Sequence, residues 1–532
     1  MGSALYLHEG DKGSSSNNMQ DGEEFWRYLG EGNRSVVLAH TQENIVLKFL
    51  KFPVDTRQDD EALTNVAERL RNMIDYTQQV MKSLIGPAYV HCGELAEMPT
   101  DLAKRISAQI HHFRPASRHG KTMDVWSGFA TRLPNLTRLQ PPEGLEPHAD
   151  VLCIEIKPKC GFLPNPCRVR SLLKQRVCRY CMHQYLKVTN GKCKKVNRYC
   201  PLDLYSGDVQ RMEFAIRGLL ENPQNNLRVF KNGELIFGCR DERACPTDLP
   251  ALAAHLRPFF SSGPDKANEG GDNVIGMLVA FLVHALLHEP NQQGDDIWQD
   301  DSLNSSGYFK STTICTASQF GRNGSRNGCS LSQDSDRLPP SCVLARVRRA
   351  QRLDLLDIEG VYPLYLRLQQ HILKQPQSRF SLRLDQPYDR EFLQILQDKS
   401  TVDDQSLQFA VRKIQQYLVS MTAKDVSIMI ACAAHGNFRE KTLATATRQT
   451  SNMFWPPATL SVLPSLQTST AKLSLPRLRF SVSVLDLDPK PLEKVAHHWR
   501  QDRQILDCYN AWHSKRLRSG VISNAGQHAE MV

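Results

Sequence analysis

Two carboxylate positions stand at the ends of strand-like runs. Asp425 opens the apolar run 426–431, and Asp486 and Asp488 close the run that starts at Phe480. If these runs pair as a hairpin, Asp425 and Asp486 meet at one end. One carboxylate can then accept a hydroxyl proton while the other holds Mg²⁺ against a nucleotide phosphate. A base Asp, a hairpin and a metal Asp form the division of labour of a kinase. The plainer reading is that strand-end aspartates cap turns. The alternation Phe480, Val482, Val484 continues to Asp486 and predicts a carboxylate on the buried parity, where it needs a partner or a metal.

Glu155, Lys157 and Lys159 alternate with Ile154 and Ile156. On an extended segment the three charged groups share one face. That face, ended by Pro158 and Gly161, suits a polyanion bound beside a nucleotide; a solvated charged face is the equal alternative. Gly30-Glu31-Gly32 precedes two β-rich runs, 35–38 and 45–50. Glycines let backbone N–H groups approach a phosphate, and Lys48 could neutralise it. Taken alone, an ordinary turn with a surface lysine is the better reading.

A basic set follows: Lys174, Arg176, Arg179, Lys187, Lys194, Lys195 and Arg198, with Tyr180, Tyr185 and Tyr199 interleaved. It reads as an RNA-binding surface, as the wall of a small polyphosphate pocket, or as a solvated helix face. Cys178 and Cys181 have metal-pair spacing and lie near His183, Cys193 and Cys200. The interval from Cys193 to Cys200 is wrong for a standard knuckle, so zinc is the minority reading.

Around these residues, 532 amino acids, 41% of them hydrophobic and 23% charged, require at least two lobes. The formal charge of +10 is compatible with nucleic acid, an acidic membrane face or a small anion. The longest apolar run, 274–287, contains Gly276 and His284 and is too short to cross a bilayer; it reads as a buried helix. The 15 cysteines lack a framework spacing and read as reduced thiols of a cytosolic or nuclear protein. No basic-then-apolar leader precedes the polar stretch 14–18. Residues 89–91 and 152–156 read as strands, and 364–373, opened by Pro363, and 408–418 as helices. The stretches 291–337 and 434–477 read as flexible insertions, the second a long disordered hairpin.

Eight blocks then occur in order: GEGNRSVVLA, EIKPKCGF, CRYCMHQYLK, PLDLYSG, NPQNNLRVFKNGELIFG, DLLDIEGVYPLY, MTAKDVSIMI and FSVSVLDLDPKP. Through them the chain resembles the inositol-pentakisphosphate 2-kinases, and looks like a vertebrate member, from about Gly30 to about Trp499. The resemblance implies an α/β (α+β) class and a two-lobed, protein-kinase-related fold with an added inositide-binding region. The implied layout is a tail over 1–24, an N-terminal lobe over 25–150 with the glycine-rich ATP loop, and a C-terminal lobe over 151–500. Within that lobe the inositide region spans about 165–260 and the insertions about 290–340 and 434–477; a C-terminal tail fills 501–532.

The implied reaction moves the ATP γ-phosphoryl to the 2-hydroxyl of inositol 1,3,4,5,6-pentakisphosphate, giving phytate, with Mg²⁺. Gly30, Glu31, Gly32 and Asn33 match the loop over the ATP phosphates, and Lys48 a basic nucleotide ligand. Glu155, Lys157 and Arg228 match nucleotide-side residues, Lys157 also reaching the reacting phosphates. Lys159, Lys187, Asn225 and Lys490 match inositide ligands, with Arg118 or Arg114 adding one more. Asp425 matches the base and Asp486 the magnesium ligand. Plant members use basic and tyrosine side chains four and eight residues after the Lys490 position; here these are Lys494 and His498. The structural zinc of plant members has no matching ligand spacing here.

Five phosphates carry roughly −8 to −10 at neutral pH, which accounts for the basic residues without nucleic acid. The resemblance thus implies a monomer of cytoplasm and nucleus acting on a small molecule. The rival is a basic RNA-associated or scaffold protein on a degenerate kinase fold. Such a protein is expected to have lost one of Asp425, Asp486 and Lys157, and all three are present. A protein kinase is argued against by the absence of H-R-D-x-x-x-x-N and D-F-G strings.

Overall fold

The computed structural model describes residues 22–56, 63, 65–139, 145–147, 150–239, 247–260, 271–290, 337–398, 403–434, 438–440, 461–463, 466–467 and 474–518. The chain divides into two compact units, one of residues 1–71 and 93–133, the other of 72–92 and 134–532. The division therefore falls at Leu133 rather than near 150, and a piece of the early sequence belongs with the second unit. The reason is local. Val484 donates its N–H to the Tyr89 carbonyl at 2.8 Å, and His91 Nε2 lies 3.1 Å from Ser483 Oγ.

The first unit is an antiparallel sheet of β1 (Trp26–Glu31), β2 (Ser35–His40), β3 (Ile45–Pro53), β4 (Glu94–Glu97), β5 (Lys121–Met123) and β6 (Phe129–Pro134). Its order is β1-β2-β3-β6-β4, with β5 pairing β3. Period-2 alternation drives Val36, Leu38, Leu47 and Phe49 to one buried face. Helix Thr100–Ile110 covers that face with Leu102, Ala103 and Ile106. Gly30 and Glu31 belong to β1, paired with Val37 and Val36, so the turn is shorter than the sequence predicts.

The second unit holds β7 (Leu145–Pro147), β8 (Leu152–Ile156), β9 (Leu227–Lys231), β10 (Glu234–Phe237), β11 (Ser427–Ala434), β12 (Phe438–Glu440), β13 (Ser461–Leu463), β14 (Leu466–Gln467), β15 (Ser474–Leu475) and β16 (Leu478–Leu485). The main sheet runs β10-β9-β8-β11-β16-β13, with antiparallel pairing throughout. Sheet and helix are thus mixed in the α+β manner, not in the parallel α/β sense. β8 is buried along its whole length and β11 up to its last residue, which explains their near-continuous apolar sequences.

Helix Gly271–Leu287 is apolar all round and buried, as expected; Phe281 meets Phe480 edge-on at 5.8 Å. Among the described residues no helix is long and apolar enough to cross a membrane.

Four expectations change. The helix expected at 364 starts at Asp357 and carries Pro363 inside, because Ile358 and Val361 are pulled into a core with Leu368 and Ile414. The expected tail from 501 is the body of helix Lys494–Arg518, anchored by buried Asp502 and Ile505. Within 434–477, β13 pairs with β16 and β14 with β15, so the described part is paired strand; the rest lies outside the described residues, as does 291–336. Eleven of the described cysteines are free, but Cys239 is disulfide-bonded.

Candidate active site

Ser427 pairs with Leu485 in the β11–β16 ladder, so Asp425 and Asp486 do lie at the same sheet end. Asp486 does not follow the buried parity. β16 stops at Leu485, and Asp486 adopts φ +65°, which turns its carboxylate out to 46% exposure. A non-glycine residue held in this left-handed region stores strain, and such strain clusters at functional sites.

Asp486 Oδ2 accepts from Lys157 Nζ at 2.6 Å and lies 2.9 Å from Ser427 Oγ. Ser427 Oγ also lies 2.8 Å from Glu155 Oε1, and its single proton can serve only one carboxylate at a time. Arg228 Nη1 donates to Glu155 Oε2 at 3.2 Å, from the neighbouring strand. Burial opposes the Lys157 charge, but Asp486 and Glu155 together raise its pKa above the ordinary lysine value. Ser427 was not singled out from sequence. Its signal was there: it lies two residues past Asp425, at the mouth of the strand.

The neighbouring cluster is built on Asp425. Lys159 Nζ donates to its Oδ1 at 3.0 Å and Lys490 Nζ to its Oδ2 at 3.2 Å. Burial raises the Asp425 pKa, but Lys159, Lys490 and Lys157 outweigh it and hold the carboxyl well below its usual range. Lys159 is shifted the other way, its pKa lowered by burial against the pull of Asp425.

A turn with φ +61° at Lys159 aims this side chain. Gln351, fully buried, fixes that turn: its amide donates to the Lys159 carbonyl at 2.9 Å and accepts from Gly161 N–H at 2.9 Å. Tyr199 O–H donates to the Pro158 carbonyl at 2.7 Å. A Cβ at Gly161 would sit 2.4 Å from the Tyr205 ring, so only glycine fits there. Nothing in the sequence pointed to Gln351, because its partners are remote in the chain.

These groups open on a cavity of about 430 Å³ lined by Lys159, Lys187, Asn225, Asp425, Lys490 and Lys494, with Arg179, His183, Lys424 and His498 among the further walls. All six residues of the first group were singled out from sequence, and one cavity gathers them from five separated segments. Lys187 donates to Gln224 at 3.4 Å and sits 5.7 Å over the Tyr180 ring. His498 Nδ1 lies 3.1 Å from Tyr417 O–H; burial and then Arg179 push its pKa down to about 3, so the ring is neutral at physiological pH. Tyr180 and Tyr199 are core side chains. They offer no stacking platform, whereas Tyr185 is half-buried and meets Tyr509 and Trp512 edge-on at 5.2 and 5.4 Å.

In the first unit, Glu31 departs from its expected place at the ATP phosphates. It is buried, bonded to Lys51 and to Arg114 through two contacts of 2.9 Å. Lys51 Nζ also donates to the Gly32 carbonyl at 3.0 Å, so this trio braces the turn from behind. Arg114 is thereby committed, while Arg118 is half-exposed. Lys48 is half-buried in β3 opposite Val37. A Cβ at Gly30 or Gly32 would meet no protein atom within 4 Å, and neither has positive φ. Neither packing nor backbone geometry requires these glycines.

Of the expected sulfur set, Cys178, Cys181 and Cys200 converge within 4.8 Å of one another, without His183 or Cys193. Hydrogen bonds from the Cys178 and Cys181 thiols draw the Cys200 pKa down, against its burial. Chain spacing misled here because helix Arg179–Thr189 and the start of helix Pro201–Leu204 meet in space.

A carboxylate gripped by two lysines at the wall of a cationic cavity defines a protein that handles phosphate groups. The chain belongs to the inositol-pentakisphosphate 2-kinase family, whose model matches residues 28–504. The Danio rerio inositol-pentakisphosphate 2-kinase is 39% identical over 489 residues, covering 91% of this chain and 92% of that one. The Arabidopsis thaliana inositol-pentakisphosphate 2-kinase is 26% identical over 529 residues, covering 94% and 96%. Membership of a kinase family implies the use of ATP.

Proposed function

We propose that the chain transfers the γ-phosphoryl group of ATP to the 2-hydroxyl of inositol 1,3,4,5,6-pentakisphosphate, on a protein-kinase-related fold working as a monomer in cytoplasm and nucleus. The observation that carries this reading is the joint hold of Lys159 and Lys490 on Asp425 at the cavity wall. Two cations meant for acceptor phosphates restrain the carboxylate meant to accept the proton.

Lys159, Lys187, Asn225, Lys490 and Lys494 take the acceptor's phosphates. Lys157 meets the transferring phosphoryl group. Glu155 and Arg228 position the nucleotide side, while Gly30, Gly32, Asn33 and Lys48 take ATP phosphates. A hard carboxylate oxygen at a half-exposed strand end, beside a lysine, fits Mg²⁺, and Asp486 would hold it. When bound, that ion neutralises phosphate charge.

Asp425 removes the proton of the acceptor hydroxyl. In the free enzyme it is a weak base, because two lysines hold it ionised. Acceptor phosphates compete for both lysines, so binding frees Asp425 and raises its pKa. The acid limb of kcat should therefore lie at higher pH than the acid limb of kcat/KM, since the first reports the complex and the second the free enzyme. Equal limbs, or the reverse order, would remove this coupling. The reading itself is tested by incubating the chain with Mg-ATP and inositol pentakisphosphate and looking for the hexakisphosphate by chromatography; none formed means it is wrong.

The glycines give an independent check. Gly30→Ala and Gly32→Ala should leave the melting temperature essentially unchanged, since the added methyl meets nothing. They should raise the ATP KM about tenfold while leaving the acceptor KM alone, as expected where backbone approaches phosphate. Unchanged ATP kinetics would make the segment an ordinary turn.

A further inference from the structure

Beside the acceptor cavity lies a second, of about 270 Å³, formed by helices Arg179–Thr189 and Lys494–Arg518 and the residues that follow the first. Lys187, Lys192 and Arg500 supply three cations, and Asn190, Gln501 and Gln504 supply amides. His183 and His497 complete the polar wall. Among the described residues no carboxylate lines it. The acceptor cavity differs in this respect, for Asp354, Asp357, Asp425 and Asp502 line that one. Exposed surface normally intersperses both signs of charge. A concave wall of one sign concentrates the opposite ion.

The surrounding groups register that field. The His183 ring is driven down to about 3 by burial and then by Arg179, Lys187, Lys159 and Lys192. His497 is lowered by burial, Lys494, Arg500 and Arg179. Both rings are therefore neutral donors or acceptors, not further cations, at physiological pH. Gln501 accepts from Arg179 at 2.9 Å through its carbonyl, which leaves its amide N–H groups turned away from that cation as donors. Cations and neutral donors without an acid are the complement of clustered phosphates.

We propose that this groove is an accessory phosphate site, holding one or two phosphate groups of a second inositol polyphosphate outside the acceptor cavity. The proposal rests on the reading of the larger cavity as the acceptor site. The groove's small volume leaves most of the second molecule in solvent, so this site is the weaker of the two. Lys187, His183, His497 and Gln501 belong to both cavities. A second molecule on Lys187 therefore draws that ammonium away from the acceptor, and excess acceptor slows its own turnover.

The test is calorimetric titration of the full chain with inositol hexakisphosphate, without nucleotide, at low ionic strength. Two binding events are expected. In the double variant Lys192→Ala, Arg500→Ala the second should weaken about tenfold for each cation lost, roughly 100-fold in all, while the first stays within about twofold. Both residues are exposed, so the melting temperature of the variant should match the wild type. In turnover assays the wild type should show inhibition at high acceptor concentration, and the double variant should not. A single event in the wild type, or a second event unchanged in the variant, overturns the proposal. So does a variant that loses only single-stranded RNA binding, which would assign the groove to nucleic acid. Failure of the acceptor-site reading has a different signature: the first, tight event and the turnover both vanish.

Discussion

Asp425→Asn should lower kcat by about 10²–10⁴, the range contributed by a positioned general base. The substitution keeps the shape of the side chain and removes its charge. Acceptor binding should be retained or tightened, for two reasons. A negative charge leaves a site for a polyanion, and Lys159 and Lys490 no longer have a carboxylate to hold at 3.0 and 3.2 Å. Loss of kcat with an undiminished affinity is the pattern of an interaction used in the transition state rather than in ground-state binding. Turnover by chromatography and affinity by calorimetry separate the two quantities. A kcat within about threefold of wild type would show that another group takes the proton. A parallel loss of affinity would mean that Asp425 serves only to arrange the lysines.

Lys174→Met should be among the most destabilising substitutions in the second unit. Lys174 is 2% exposed and its ammonium meets Asp357, Glu359 at 3.5 Å and Asp502 at 3.0 Å. These carboxylates come from helix Asp357–Lys374 and helix Lys494–Arg518, so one lysine ties two helices to the wall of the acceptor cavity. Removing one partner of a buried ion cluster costs about 3–5 kcal/mol, because the remaining charges stay buried without compensation.

The pH dependence has a definite sign. Against its burial, the carboxylates raise the Lys174 pKa, so the lysine contributes stability at neutral pH that is lost only as pH rises through its folded value. Without it, three neighbouring carboxylates repel, and Asp502 is already raised by burial. The variant's deficit should therefore be largest at neutral pH and shrink as pH falls and the Asp502 carboxyl takes up a proton. Melting curves of both proteins between about pH 5 and 8 measure this. A deficit that is constant with pH would mean that lost packing, not charge, is responsible.

Much of the site was legible in the chain because its chemistry is local. EIKPK begins as the end of β8, and alternation predicted Glu155, Lys157 and Lys159 on one face; the strand stops at Ile156, and the left-handed turn at Lys159 aims the last of them instead. Asp425 and Asp486 were legible as hairpin ends because both flank apolar runs long enough to be central strands. The buried helix Gly271–Leu287 was legible from its uniform apolarity. Asp486 was found for a mistaken reason. Alternation predicted a buried carboxylate, and a single left-handed residue exposes it instead.

What the sequence by itself determined is the set of reactive groups, the strands that carry them and, through eight ordered blocks, the family. Tertiary structure alone decided which charges meet. Glu31 looks like a phosphate-loop residue in sequence, yet Lys51 and Arg114 claim it for a buried brace. Lys174 looks like part of a solvated basic face, yet carboxylates from positions 357, 359 and 502 enclose it. Gln351, silent in sequence, fixes the turn that aims Lys159. The physical reason is range. Propensity and alternation act between residues a few positions apart, whereas a charge is satisfied by whatever partner the fold brings within about 4 Å, however distant in the chain.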